Sequence, residues 1–365
     1  MEELKKLKNV FEGIEVYNAG IPKFPRNFTR DGIISAILMN DAKMLKNQLR
    51  FCSLNQGSKK NPITGEEPGK IFHEYPGVIF EKRENLSTEF NACDTTALFI
   101  IGHKKYFELT NDKTLLKEQK DNIQKAAAYI EKHLQNGLFT ENPKFADAKK
   151  FALKVTYWKD SVLINRKGGE PKYPVVFTLA HIQNMRAMKY ASELLKSKRL
   201  EENYTKMKKA LENLWDYKKR SFYIAIDKTG PIQGISSDIL HALYYLEKNE
   251  ITKEKINEIL RNAMILETKI GYSTLDPNLG DKIKNGYHSR TVWPFEQAII
   301  YEGAKKFGLK KIMKISSRIL EYLDTNPEIF KLENGSFQKG GCDPQLWTIA
   351  AKKYFKRQKI NSQDI

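Results

Sequence analysis

Nearly every long segment of this chain repeats its apolar residues with the period of an α-helix, and this restricts the fold more than any other feature. Over Arg30–Leu49, the residues Ile33, Ile34, Ile37, Leu38, Met44, Leu45 and Leu49 recur on one face. Similar patterns cover Leu115–Leu134, Val175–Leu195, Glu201–Tyr217, Asp238–Glu247, Lys253–Met264, Trp293–Phe307, Lys310–Leu323 and Gln345–Tyr354, with Glu3–Glu12 a further candidate. A helix is also expected to start at Asp94, whose carboxylate can cap the free amides of Thr96 or Ala97. Asn136-Gly137 after Leu134 is an ordinary helix stop. Only Phe222, Ile224 and Ile226, ahead of Lys228-Thr229-Gly230, alternate as a strand would.

About ten or eleven helices joined mostly by short connections predict an all-α chain of stacked helical hairpins. No repeat of a fixed period stands out, which argues against an open solenoid. A closed ring of six hairpins would need about twelve helices, slightly more than the periodicity shows. Two long connections, Phe51–Ala92 and Gly137–Tyr173, break the rhythm; loops of this length in a compact fold usually carry function. No linker divides the sequence, so residues 1–365 are expected to form one domain.

Composition narrows the partners. The formal charge of +18 raises the question of a polyanion. The lysines are spread along the whole chain and mixed with acids, as in Lys196–Glu202 and Lys206–Arg220, the pattern of solvated helix faces. No basic stripe interleaved with aromatics and no nucleic-acid motif is present, so no nucleic-acid partner is expected. No run is long and apolar enough for a membrane span. The three scattered cysteines, Cys52, Cys93 and Cys342, suit free thiols in a reducing compartment, and a cytoplasmic location is expected. They have no metal-ligand spacing.

Chemistry concentrates in a few short segments near expected helix ends. These are Phe28-Thr29-Arg30-Asp31-Gly32, Tyr157-Trp158-Lys159-Asp160-Ser161, Val292-Trp293-Pro294-Phe295-Glu296-Gln297 and Asn326-Pro327-Glu328-Ile329-Phe330. Cys342-Asp343-Pro344-Gln345-Leu346-Trp347 opens the last helix. Each sets a carboxylate beside an aromatic or arginine neighbour. Cleavage of a glycosidic bond requires one carboxylic acid to protonate the leaving oxygen and a second carboxylate to activate water or attack the sugar. Aromatic faces suit sugar C–H groups, and a flanking ring can desolvate a carboxyl and raise its pKa. The chemistry needs no cofactor and no metal.

Every one of these residues also has a structural reading. Asp31 could serve its helix N-terminus or pair with Arg30 at the surface. Asp160-Ser161 has the composition of an N-cap. Glu328 follows Asn326-Pro327, a favourable helix start, and Glu296 falls in the first turn after Trp293-Pro294, where acids complement the helix dipole. Trp158, Trp293 and Trp347 could be core residues.

In order and spelling, these segments resemble the glucosidase domain of glycogen-debranching enzymes and their amylo-α-1,6-glucosidase relatives. They are more distantly similar to trehalases, glucoamylases and mannosylglycerate hydrolases. The matching pieces are Phe28-x-Arg30-Asp31, His73-Glu74, Asp94-Thr95-Thr96-Ala97-Leu98-Phe99, Trp158-Lys159-Asp160-Ser161, Val292-Trp293-Pro294, Pro327-Glu328-Ile329-Phe330 and Cys342-x-Pro344-Gln345-x-Trp347. The resemblance implies an (α/α)6 barrel, an inverting hydrolysis and a carbohydrate partner, an α-glucoside or short glucan. It also implies Asp160 as general acid and Glu328 as general base. Phe28, Arg30, Asp31, His73, Glu74, Asp94, Trp158 and Trp293 would bind substrate, with Glu296 supporting the pocket and competing for the role of base. One departure stands out: relatives often write Trp-Pro-His-Asp-Asn where this chain has Trp293-Pro294-Phe295-Glu296-Gln297, a change that bears on which sugar or linkage fits.

Overall fold

The computed structural model describes residues 2–81, 84–161, 163, 170–280, 286–333 and 335–363. Parts of both long connections, residues 82–83, 162 and 164–169, lie outside the described residues. In chain order the helices are α1 (Glu2–Lys6), α2 (Thr29–Met39), α3 (Ala42–Leu54), α4 (Thr95–Thr110), α5 (Thr114–Glu118), α6 (Lys120–Lys132) and α7 (Thr178–Leu195). They continue with α8 (Lys198–Ala210), α9 (Asp238–Tyr245), α10 (Lys253–Ala263), α11 (Pro277–Gly280), α12 (Pro294–Phe307), α13 (Lys310–Ser317) and α14 (Leu346–Gln363).

Two kinds of helix alternate along the chain. The helices α2, α4, α7, α9 and α12, and the N-terminal half of α14, are buried on nearly every side. Between them, α3, α6, α8, α10 and α13 bury a single stripe; in α8 it is Leu200, Tyr204, Met207 and Ala210. Helices apolar all round need neighbours on every side, whereas a one-stripe helix belongs on the outside. The packing agrees. α2 lies against α4, α4 against α7, α7 against α9, α9 against α12 and α12 against α14, and α14 returns to α2, so the ring of contacts closes. The striped helices cover it from outside, α3 on α2 and α4, α8 on α7, α10 on α9 and α13 on α12. Gly303 lets α12 approach α9 closely: a Cβ there would stand 2.7 Å from the Tyr244 amide nitrogen. A continuous cluster of buried apolar side chains runs from Leu7 to Phe355.

Several expected boundaries move. The pattern over Arg30–Leu49 is two helices, because Asn40 takes a left-handed φ of 51° and Asp41 caps α3 by accepting from the Met44 amide. Asp94 stands at the start of α4, but its side chain makes no capping bond, since the carboxylate is taken by Arg30. Asn136-Gly137 does not end a helix. Both residues have positive φ, 51° and 80°, and turn a hairpin between Leu134–Gln135 and Leu138–Phe139, as Asn-Gly favours. Asn326-Pro327 starts no helix either: Ile329–Glu333 is a strand, paired with Thr291–Val292 on one side and Ser336–Gly340 on the other.

The single expected strand is split between two ladders, one pairing Ser221–Phe222 with Trp215–Asp216, the other setting Ala225–Asp227 between Val175–Phe177 and Gly230–Ile232. Such short ladders join the ends of helices throughout the fold, and pieces of two to five residues escape a periodicity argument. The three cysteines are free and buried. Among the described residues no helix is long and apolar enough to cross a membrane.

Candidate active site

The N-terminal ends of the buried helices gather at one end of the ring, and the residues singled out above collect there. Arg30 and Asp31 lie in the first turn of α2, Asp94 immediately before α4, Trp293 immediately before α12, and Gln345 and Trp347 around the first turn of α14. Between these helix starts opens a cavity lined by Phe28, Arg30, Asp31, His73, Trp158, Asp160, Trp293 and Glu328, together with Ala19, Phe24, Tyr287, His288, Gln345 and Trp347. Eight of the eleven expected site residues therefore share one space. Glu74, Asp94 and Glu296 are not among its lining residues.

Those three carboxylates lie behind the wall. Asp94 forms two parallel bonds with Arg30, to Nε at 3.0 Å and Nη2 at 2.8 Å. Glu74 accepts from Arg26 Nε at 2.6 Å and from the Thr88 hydroxyl, and sits opposite Phe28 in the ladder of Asn27–Phe28 with Glu74–Tyr75. Glu296 is fully buried, accepts from Ser237 Oγ at 2.6 Å, and lies 3.7 Å from Lys159 Nζ and 3.5 Å from His241 Nδ1.

Aromatic rings form much of the remaining wall. Trp293 stacks on His288 with centroids 4.8 Å apart and meets Trp158 and Trp347 edge-on at 5.7 and 5.5 Å. Three cavity residues carry buried polar atoms with no hydrogen-bond partner among the described residues: His73 Nδ1, which lies 4.0 Å from Glu74 Oε1, Gln345 Oε1 and Trp347 Nε1. A buried polar atom left unpaired is costly, so such atoms are poised for a polar ligand.

The two expected catalytic carboxyls differ in their surroundings. Asp160 keeps 37% of its side-chain surface open at the cavity. Desolvation pushes its carboxyl up to about 7, with Arg30 opposing and Glu328 adding to the rise. Glu328 is buried and also raised, by desolvation. Two donors work against that rise: the Tyr287 hydroxyl on Oε1, and the Cys342 amide on Oε2 at 2.9 Å. Asp31 is held well above its ordinary value, by burial first, and accepts from Gln345 Nε2 at 3.1 Å. Burial, reinforced by nearby cations, holds His73 and His288 well below the ordinary histidine value, so both imidazoles are neutral near pH 7.

Two buried clusters have metal-ligand composition. In the first, Asp238, His241 and Glu296 bring ligand atoms within 4.8 Å of one another. Lys159 Nζ already stands there, 3.0 Å from Asp238 Oδ1 and 3.7 Å from Glu296 Oε1, so the protein's own ammonium holds the cation position. In the second, Glu67, His133 and Glu141, the carboxylate of Glu67 faces Lys132 Nζ at 2.9 Å and His133 Nε2 at 3.1 Å. Against the burial that would raise it, His133 and Lys70 hold Glu67 down at about 2.

Tyr287, His288 and Asp238 were not singled out from sequence as site residues. Tyr287-His288 sits in a polar stretch without periodicity. Asp238 follows Ser236-Ser237 and reads as a helix N-terminus, which conceals its other contacts.

The fold is one shared with glycoside hydrolases. The mannosylglycerate hydrolase of family GH63 from Thermus thermophilus, in complex with Tris and D-glycerate, superposes with a TM-score of 0.70 at 13% identity over 98% of both chains. The same enzyme in complex with glucose gives 0.67 at 12% identity, again over 98% of each. A GH78 rhamnosidase of Bacillus sp. GL1 gives 0.62 at 12% identity, over 92% of this chain and 32% of the other. No sequence-family model matches the chain, and no curated protein matches it by sequence.

Proposed function

We propose that this protein is an inverting glycoside hydrolase, a single (α/α)6-barrel domain over residues 1–365, with Asp160 as general acid and Glu328 as general base. The observation that carries the reading is the meeting of these two carboxyls, distant in sequence and both raised in pKa, in one tryptophan-lined cavity. A carboxyl titrating at about 7 still carries its proton near neutrality and can deliver it to a leaving oxygen. Glu328, gripped at both oxygens, is oriented to take a proton from water that attacks the anomeric carbon from the opposite face. The glycosidic C–O bond breaks as the water oxygen bonds to carbon, the leaving oxygen keeps the proton from Asp160, and the product sugar has inverted configuration. Arg30, Asp31, His73, Gln345 and Trp347 would hold hydroxyls of the terminal sugar, while Phe28, Trp158 and Trp293 offer apolar faces. Glu74, Asp94 and Glu296 support these residues from behind the wall.

For the substrate, the resemblance in the motifs favours an α-glucoside of the amylo-α-1,6-glucosidase type. The likeness to a mannosylglycerate hydrolase crystallised with glycerate and with glucose favours a glucosyl- or mannosylglycerate equally well. The deciding experiment is sugar release by purified protein from isomaltose, panose, a phosphorylase limit dextrin, maltose, trehalose, kojibiose, glucosylglycerate and mannosylglycerate, with Asp160→Asn as blank. Release from isomaltose or the limit dextrin supports the first reading, and release from a glycerate conjugate supports the second. No release from any member overturns the proposal.

A further inference from the structure

We propose that Asp238 is a positioning residue for Asp160: its carboxylate clamps the three side chains that precede the acid and so decides where the Asp160 carboxyl stands. The inference rests on the glycosidase reading. Asp238 is the first residue of α9 and is buried. Its Oδ1 accepts from Trp158 Nε1 at 3.1 Å and faces Lys159 Nζ at 3.0 Å. Its Oδ2 accepts from Tyr157 Oη at 3.2 Å and from Ser236 Oγ at 3.0 Å. A carboxylate offers about four acceptor positions; Trp158, Tyr157 and Ser236 fill three of them with hydrogen bonds, and the Lys159 ammonium adds an ion pair.

Lys159, the residue next to the acid, is held most firmly. Lys159 is fully buried, and its ammonium also reaches Ser236 Oγ at 2.8 Å, Ser237 Oγ at 2.6 Å and the Thr274 carbonyl at 3.0 Å. Tyr157 is further fixed by stacking on Phe177, centroids 4.9 Å apart. Asp160 has no such anchor among the described residues. Among the described residues its carboxylate accepts no hydrogen bond, and His288 Nδ1 stands 3.7 Å from Oδ1. The direction of the acid therefore comes from its backbone, and that backbone is held through Asp238.

A role confined to the α9 dipole would explain an acid at this position. It would not explain donors converging on it from three consecutive residues of a distant loop. A general acid must stand within hydrogen-bond reach of the leaving oxygen, and a displacement of about 1 Å can cost roughly 100-fold in rate.

The test compares Asp238→Asn and Tyr157→Phe with the wild type on two substrates. One is the best member of the sugar panel above, whose leaving oxygen needs a proton. The other is the 4-nitrophenyl glycoside of the same sugar, whose leaving group departs with little help. For Asp238→Asn we expect kcat on the first to fall ~100-fold with KM within ~3-fold. On the nitrophenyl glycoside kcat stays within ~5-fold of wild type, and the alkaline limb of the pH profile moves. Tyr157→Phe, which removes one donor and keeps the ring, shows the same selectivity at about 5-fold, and decides alone if Asp238→Asn does not fold. Equal losses on both substrates, or undiminished turnover on both, overturn the inference while leaving the hydrolase reading intact. A wild type inert on the whole panel overturns both.

Discussion

Arg30 and Asp94 meet side-on, guanidinium to carboxylate, with both side chains buried and N···O distances of 3.0 and 2.8 Å. The pair ties the first turn of α2 to the start of α4 and holds a cation at the edge of the cavity. Its energetics are asymmetric, because removing one partner leaves the other charge buried alone. Asp94→Ala is expected to lower stability by about 3–5 kcal/mol in urea denaturation, and Asp94→Asn by less. A loss for Asp94→Ala no greater than that of an exposed ion pair, under ~1 kcal/mol, would contradict the buried geometry.

The raised carboxyl of Asp160 has a sign that can be checked. Its folded value of about 7 stands above the ordinary 3.8, so between those pH values the native protein holds a proton that the unfolded chain has released. Stability contributed by the protonated group is complete below about pH 4 and is lost as pH rises through 7. Asp160→Asn cannot ionise, so its Tm should match the wild type near pH 4 and exceed it increasingly toward pH 8. A pH-independent difference would place Asp160 in an ordinary solvated setting. Activity should fall on the alkaline side near pH 7, as the acid loses its proton.

Glu328 and Glu296 can be separated by rescue. Glu328→Gln should lose turnover and regain it with azide, yielding an azide product of inverted configuration. Glu296→Gln leaves Lys159 beside one acid instead of two, so it should lower stability without azide rescue. Rescue of Glu296→Gln alone would exchange the two roles.

Gly341 has a φ of +79°, and a Cβ there would stand 2.2 Å from Glu328 Oε2. Gly341→Ala combines a strained backbone with a displaced carboxylate. We expect a stability loss of about 1 kcal/mol or more and a fall in kcat of roughly 100-fold, measured by thermal melts and initial rates. Wild-type kcat in this variant would mean that the position of Glu328 is not critical.

The helical character of this chain was legible because apolar periodicity is a local property: a helix buried on every side and a helix buried on one stripe leave different patterns over a dozen residues. Much of the lining of the candidate site was legible too, in Arg30-Asp31, Trp158, Asp160, Trp293 and Glu328. What the segments could not carry was their meeting. Arg30-Leu49 reads as one helix until Asn40 is seen to turn it, and Asn136-Gly137 suits a helix end or a hairpin until its neighbours pair. Glu328 looks like a helix-start acid until the strand after it finds Thr291–Val292. Glu296 and Glu328 are equivalent by residue type; packing alone places one behind Lys159 and the other in the cavity beneath Tyr287. Burial, pKa and hydrogen-bond partners depend on atoms brought in from elsewhere in the chain, so they exist only once the ring of helices has closed.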